Sequence, residues 1–254
     1  MKLIVHADDF GLSSSVNNAI AQSFEMGIID RTSAIVNGPM FAEACRLAKE
    51  NGFKNRIGFH FNISECKAVS SEISHIRAFC AKDNILSYQR NTKQVLSKIE
   101  MNAVAAECEH QIRLYRSQGL QLNHFDSHEH VHTEWFMFRT IEPVLRLNGF
   151  SSVRVSQNIG EFPLKNRIYK SFFNYYLKRR GWNSEEFCGS YREFLKLNAY
   201  SKMKDAQVEV VVHPALNSQG VLMDAVYGEE LAPPLQKLRN LSQIMTGSVN
   251  GEHS

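Results

Sequence analysis

The sequence predicts an α/β chain wound into an irregular TIM-like (β/α) barrel, on three observations. Short β-branched apolar runs alternate with amphipathic helical patterns from Leu3 to Val212, as right-handed βα units on a parallel sheet do. The length of 254 residues suits one such barrel. No GxGxxG or GxxxxGK phosphate loop follows a strand, so a nucleotide-binding open sheet has no support.

Leu3-Ile4-Val5 reads as a buried first strand, with Asp8 and Asp9 just past its end. Ser13, Ser14 and Ser15 offer N-caps to a helix in which Val16, Ala19, Ile20 and Phe24 recur at helical spacing before Gly27. Residues 33–36 form the second strand, Asn37-Gly38-Pro39 a turn, and residues 41–50 a helix stopped by Asn51-Gly52. Residues 56–61 form the third strand. No period is sustained from Ser64 to Arg90, and a connection that long is a functional loop or hides short elements. A helical pattern then runs from Thr92 to Gly119, and the alternating residues 120–125 read as the fourth strand. Residues 134–148 form a helix containing Pro143, a residue that kinks helices. Residues 152–155 are the fifth strand, and residues 209–212 are a later one ending in His213-Pro214.

Regular alternation is lost between Gln157 and Tyr200, where Lys165, Arg167, Lys170, Lys178, Arg179 and Arg180 are interspersed with aromatic residues. Such a stretch is ordinarily a barrel-covering helix with a solvated basic face. It can also lie on an anionic membrane or grip a phosphate-bearing substrate. The expected organisation is one domain over residues 1–245 and a frayed polar tail over 246–254.

A hydrophobic fraction of 43% suits a soluble globular protein. The formal charge of +3, without a Lys/Arg block or finger spacing, argues against nucleic acid. Cys45, Cys66, Cys80, Cys108 and Cys188 are scattered and lack a CxxC pair, which fits a reducing compartment. The first apolar run is too short for a secretory signal. No run approaches the roughly 20 residues that span a bilayer, and a cytoplasmic location is expected.

Chemistry concentrates between Asn123 and His132, where four of the ten histidines stand with Asp126 and Glu129. Extended backbone would put His128, His130 and His132 on one side, and a helical turn would pair His128 with His132. Neutral imidazole is a common ligand for first-row metals, and a neighbouring carboxylate fixes its tautomer. A lone histidine is more often an ordinary hydrogen-bonded one; this density favours a metal. Asp8, Asp9, His60, His128 and His213 all lie at or just after strand ends, where such folds place their active sites. Two histidines and a carboxylate make a hydrolytic metal set with open positions. A second carboxylate can take the proton of the attacking water, and another histidine can protonate the leaving group. The ordinary alternatives are that Asp8 or Asp9 caps a helix, that His213 ends a strand, and that Cys66 is an inert thiol.

The chain resembles the YdjC-like carbohydrate deacetylases of the chitooligosaccharide deacetylase type. The resemblance lies in Ala7-Asp8-Asp9-Phe10-Gly11-Leu12, Val36-Asn37-Gly38, Gly58-Phe59-His60-Phe61-Asn62, Asp126-Ser127-His128-Glu129-His130-Val131-His132 and Val212-His213-Pro214. It implies a distorted barrel related to the polysaccharide deacetylases, and removal of an N-acetyl group from an amino sugar with release of acetate. It further implies Asp9, His60 and His128 as metal ligands, Asp8 as general base and His213 as general acid. Asn37, Asp126, His130 and His132 are assigned to the substrate or to the surroundings of the ligands. Arg154 would orient Asp8 or stabilise the oxyanion. His6 departs from the family, which more often has a residue such as Asn there. One divalent ion is expected, Mg or Zn before Mn or Co. The expected partner is an N-acetylated sugar or glycan, with peripheral membrane contact and a homo-oligomer left open. The competing readings are another metal-assisted hydrolase, such as a phosphoesterase or amidohydrolase, and a catalytically weak glycan- or lipid-surface-binding protein.

Overall fold

A computed structural model describes residues 1–93, 95–196, 203 and 205–247. Its centre is a parallel sheet of β1 (Lys2–Phe10), β2 (Arg31–Ala34), β3 (Ile57–Phe61), β4 (His124–Ser127), β5 (Ser152–Val153), β6 (Phe187–Ser190) and β7 (Gln207–Val212). The strand order is β5-β4-β3-β2-β1-β7-β6. The sheet curls until its edges meet: Val153 N–H donates to the Asn183 carbonyl, and Asn158 and Ile159 N–H both donate to the Cys188 carbonyl on β6. A few such bonds replace a full ladder, which makes the barrel irregular. Gly189 permits the approach, since a Cβ there would lie 2.6 Å from Cβ of Ile159.

The helices are α1 (Ser14–Glu25), α2 (Phe41–Glu50), α3 (Ser71–Ser74), α4 (Lys98–Ser117), α5 (Trp135–Leu147), α6 (Leu164–Arg179), α7 (Tyr191–Lys196) and α8 (Ala232–Gly247). Ser13 caps α1 by accepting the Val16 N–H. α4 begins later than its period suggests, because Ser97 and Glu100 form a reciprocal capping box that fixes its first turn. β4 also begins late, at His124. The carbonyls of Leu120 and Leu122 accept hydrogen bonds from Arg116 and Tyr115 instead of a neighbouring strand. The aperiodic connection after β3 does hide short elements, α3 and the bridges Lys67↔Ile85 and Cys80↔Leu86.

The segment from 157 to 200 is more regular than expected, holding α6, β6 and α7, with residues 197–200 outside the described residues. After β7 come β8 (Pro214–Leu216), β9 (Leu222–Asp224) and β10 (Glu229–Glu230), a small antiparallel sheet not anticipated from sequence. Of the tail expected from residue 246, α8 already carries the chain to Gly247, and 248–254 lie outside the described residues. No helix among the described residues is long and apolar enough to cross a membrane.

One departure sets up the site. β1 runs on to Phe10, so Asp8 and Asp9 lie within it rather than past its end. In a regular strand the two side chains would face opposite ways. The β1–β2 register shifts between Ala7 and Phe10, and Asp9 adopts φ 70°. That bulge brings both carboxylates to one cavity. The Asn37-Gly38 turn buttresses it, for a Cβ on Gly38 would stand only 2.3 Å from the Gly11 carbonyl oxygen.

Candidate active site

Three side chains from three strand ends converge. Oδ1 of Asp9, after the bulge in β1, lies 3.2 Å from His60 Nε2 and 2.8 Å from His128 Nδ1. His60 is the next-to-last residue of β3, while His128 opens the turn after β4 in which Glu129 and His130 take φ 53°. Such left-handed backbone is costly for residues other than glycine. It means that neither of the two regular geometries considered for His128–His132 is realised.

Each histidine has a carboxylate behind it. His60 Nδ1 donates to Asp126 Oδ1 at 2.7 Å, and His128 Nε2 donates to Glu65 Oε1 at 2.7 Å. Burial alone would lower both imidazoles, but these acids overcome it. Asp126 and Asp9 raise His60 to about 9, and Asp9 and Glu65 raise His128 to about 10. Burial would raise the Asp9 carboxyl, yet hydrogen bonds from His128 and His60 hold it well below the usual carboxylate range. Protons thus hold together an oxygen and two nitrogens that a divalent cation would hold in their place.

The donor chemistry fits such an ion. One carboxylate and two imidazoles with their ligand atoms within 4.8 Å of one another, each imidazole backed by an acid, is the pattern of a histidine–carboxylate metal site. Two other acid–histidine groups, His6/His124/Asp126/Glu209 and Asp8/His60/Asp126, meet the same distance limit. Their carboxylates are already engaged by guanidinium groups. A cation there would face Arg31 or Arg154; the Asp9 group carries no such opposition.

Arg154, fully buried after β5, organises the floor. Its Nη1 and Nη2 donate to the two oxygens of Asp8 at 2.7 Å each, its Nη2 also lies 2.7 Å from Asp126 Oδ2, and its Nε donates to Glu209 Oε1 at 3.0 Å. Burial opposes the charges of Asp126 and Glu209, but Arg154 outweighs it and holds both acids well below their usual range. His6, the departure noted in the sequence, lies beneath: Nε2 is 3.1 Å from Ser33 Oγ, and Nδ1 is 2.8 Å from Glu209 Oε1. Ser33 in turn donates to Asp126 Oδ2.

A cavity of about 820 Å³ opens above these groups, lined by Asp8, Asp9, His60, His128, His130 and His213. His213 Nε2 lies 3.9 Å from Asp8 Oδ2, and its backbone N–H donates to Asp224 Oδ2. His130 Nε2 is 3.3 Å from Gln157 Nε2, and burial, reinforced by Arg154, holds its imidazole neutral. His132 does not line the cavity. Its Nδ1 accepts from Ser127 Oγ and its Nε2 donates to the Arg154 carbonyl, so it props the backbone just past β5 that carries Arg154. Asn37 does not line it either; its amide donates to the Lys67 carbonyl and accepts from Asn62, tethering the loop after β3. Burial pushes the Cys66 thiol up to about 11, which suits an inert thiol.

Sequence reasoning passed over Glu65, Ser33, Glu209 and Asp224. Glu65 sits in the aperiodic connection, and nothing local marks it. Glu209 did leave a signal, as a lone acid inside the apolar strand Val208-Glu209-Val210, since a buried charge needs a partner.

Residues 2–243 match the model of a family described as YdjC-like protein. A carbohydrate deacetylase of Halalkalibacterium halodurans is 30% identical over 236 residues, 90% of this chain and 91% of that one. A chitooligosaccharide deacetylase of Salmonella heidelberg is 30% identical over 223 residues, 84% of this chain and 81% of that one. A crystal structure of a candidate cellobiose-phosphate cleavage protein from Enterococcus faecalis V583 superposes with a TM-score of 0.69, covering 86% of this chain and 82% of that one. At 19% identity that likeness speaks to the fold.

Proposed function

The chain belongs to the YdjC-like family, and from that premise we propose that it is a divalent-metal-dependent carbohydrate N-deacetylase. The observation that carries this reading is the meeting, in one cavity, of the Asp9–His60–His128 donor set, the Arg154-clamped Asp8, and His213.

Asp9, His60 and His128 would hold the ion. When bound it supplies Lewis-acid polarisation of the acetamide carbonyl and a water of lowered pKa. Asp8 accepts the proton of the attacking water. Arg154 occupies one lone pair on each Asp8 oxygen and fixes the plane of the carboxylate, while the remaining lone pairs stay available for that proton. His213, on the cavity wall near Asp8, gives a proton to the amine as the C–N bond breaks, and acetate leaves. Neutral His130 and Gln157 offer hydrogen bonds to sugar hydroxyls, and Phe162 and Tyr227 offer an apolar face to the ring.

The same ligands could serve a phosphoesterase, but the lining disfavours an anion at the reacting centre. Asp8, Asp9, Glu129, Glu161 and Glu193 line the cavity and, besides its histidines, Lys196 is the one basic side chain among the described residues that line it. The test is acetate release from N-acetylated sugars, free, nucleotide-linked or lipid-linked, after chelation and with single metals restored. Metal-dependent acetate release is expected. No release from any of them by a metal-loaded protein, or hydrolysis of phosphodiesters instead, would overturn the reading.

A further inference from the structure

α6 carries a surface that neither the sheet nor the catalytic cavity uses. Its 16 residues include Lys165, Arg167, Lys170, Lys178 and Arg179 and no acid. Phe173 and Leu177 are fully buried and fix the inward face. On the outer side Leu164, Ile168, Phe172 and Tyr175 are 69%, 62%, 50% and 62% exposed. Their spacing places them in one stripe along the helix. Trp135, itself partly exposed, packs against Phe172 with ring centroids 5.2 Å apart and widens the stripe.

The charge beside the stripe indicates what covers it. Lys165, Arg167, Lys178 and Arg179 have no acidic partner among the described residues. Pairing two copies of this face would bring cations against cations, so a second copy of the chain is a poor occupant. An anionic bilayer suits both features: apolar side chains enter the boundary between headgroups and acyl chains, and Lys and Arg meet lipid phosphates. Tryptophan favours that boundary as well. Beside α6 lies a cavity of about 560 Å³ lined by Arg90, Lys93, Lys165, Lys170 and Trp135, with one acid, Glu134, whose oxygens accept from Tyr88 Oη and the Asn91 N–H. Lys93 is neutralised by Glu100. Nε of Arg90 is buried without a hydrogen-bond partner among the described residues. This cavity offers a lipid phosphate a seat, and Phe162 lines both it and the catalytic cavity.

We propose that α6 docks the protein peripherally on an anionic lipid bilayer. The test is co-sedimentation of the full chain with vesicles of phosphatidylcholine alone and of equimolar phosphatidylcholine and phosphatidylglycerol. Binding is expected to the phosphatidylglycerol vesicles only, and to weaken as salt is raised. Lys165→Glu with Arg167→Glu should weaken it by about fivefold or more per cation. Ile168→Glu with Phe172→Glu should weaken it by about tenfold or more. These positions face outward, so unchanged circular dichroism melts are expected to accompany the loss. Three results would each overturn the proposal: no binding to the anionic vesicles, equal binding by wild type and the Ile168/Phe172 variant, or light scattering that shows a dimer dissociated by Phe172→Glu. None of these readouts depends on deacetylase activity.

Discussion

Replacing Arg154 by Met tests the electrostatic plan of the barrel interior. One buried guanidinium contacts Asp8, Asp126 and Glu209, at distances from 2.7 to 3.0 Å. Removing it leaves Asp8 and Asp126 without a guanidinium, while Glu209 keeps Arg31 at 3.0 Å. Breaking a buried ion pair by deleting one partner costs about 3–5 kcal/mol, a large fraction of the 5–15 kcal/mol typical of a whole domain. The sign with pH follows from the acids. In the wild type, Asp126 and Glu209 are held well below their usual values. Their contribution is therefore present above the unfolded values near 4 and lost as pH falls through the folded ones. Without Arg154, burial pushes the same acids upward, and the folded variant takes up protons as pH falls. Urea unfolding followed by circular dichroism should show a large deficit at pH 8 that narrows toward pH 5. A deficit below about 1 kcal/mol, the size of a surface pair, or one unchanged across that range, would refute the reasoning. Arg154→Lys keeps the charge but loses the fork, so it should recover much of the stability without restoring turnover.

Asp8→Asn should lower turnover by about 10²–10⁴-fold, as loss of a general base does, with metal content unchanged; loss of metal from this variant would assign Asp8 to the ion instead. His128→Ala is expected to lose at least about tenfold in metal affinity by calorimetry, and an unaltered stoichiometry and affinity would reject it as a ligand. The metal-free protein should weaken with rising pH. His60 and His128 are raised to about 9 and about 10, so their contribution is complete below their unfolded value near 6.5 and is lost as pH climbs through 9 to 10. The ion must displace those protons, so metal affinity should rise over the same window with proton release, and pH-independent affinity would contradict it. Gly38→Ala should destabilise by about 1–3 kcal/mol, the usual cost of overpacking, because its Cβ meets the Gly11 backbone; a wild-type melting curve would show that the turn does not buttress the acidic bulge.

The sequence by itself determined the alternation of strands and helices, and with it the side of the barrel on which Asp8, Asp9, His60, His128 and His213 gather. Periodicity is local, and a parallel sheet places every strand end on one face, so those residues could be collected without coordinates. Tertiary structure decided what periodicity does not encode. β6 was illegible because Phe187-Cys188-Gly189-Ser190 lacks β-branched residues, and its place depends on Gly189 lying against Ile159. The convergence of two adjacent aspartates on one cavity required the bulge at Asp9, which comes from the turn packed beneath it. The sorting of His128, His130 and His132 into a partner of Asp9, a cavity wall and a prop behind Arg154 follows from left-handed backbone at Glu129 and His130. Glu65 joined the site only through folding, since a carboxylate 63 residues before His128 meets its ring where the loop after β3 folds back over the strand ends.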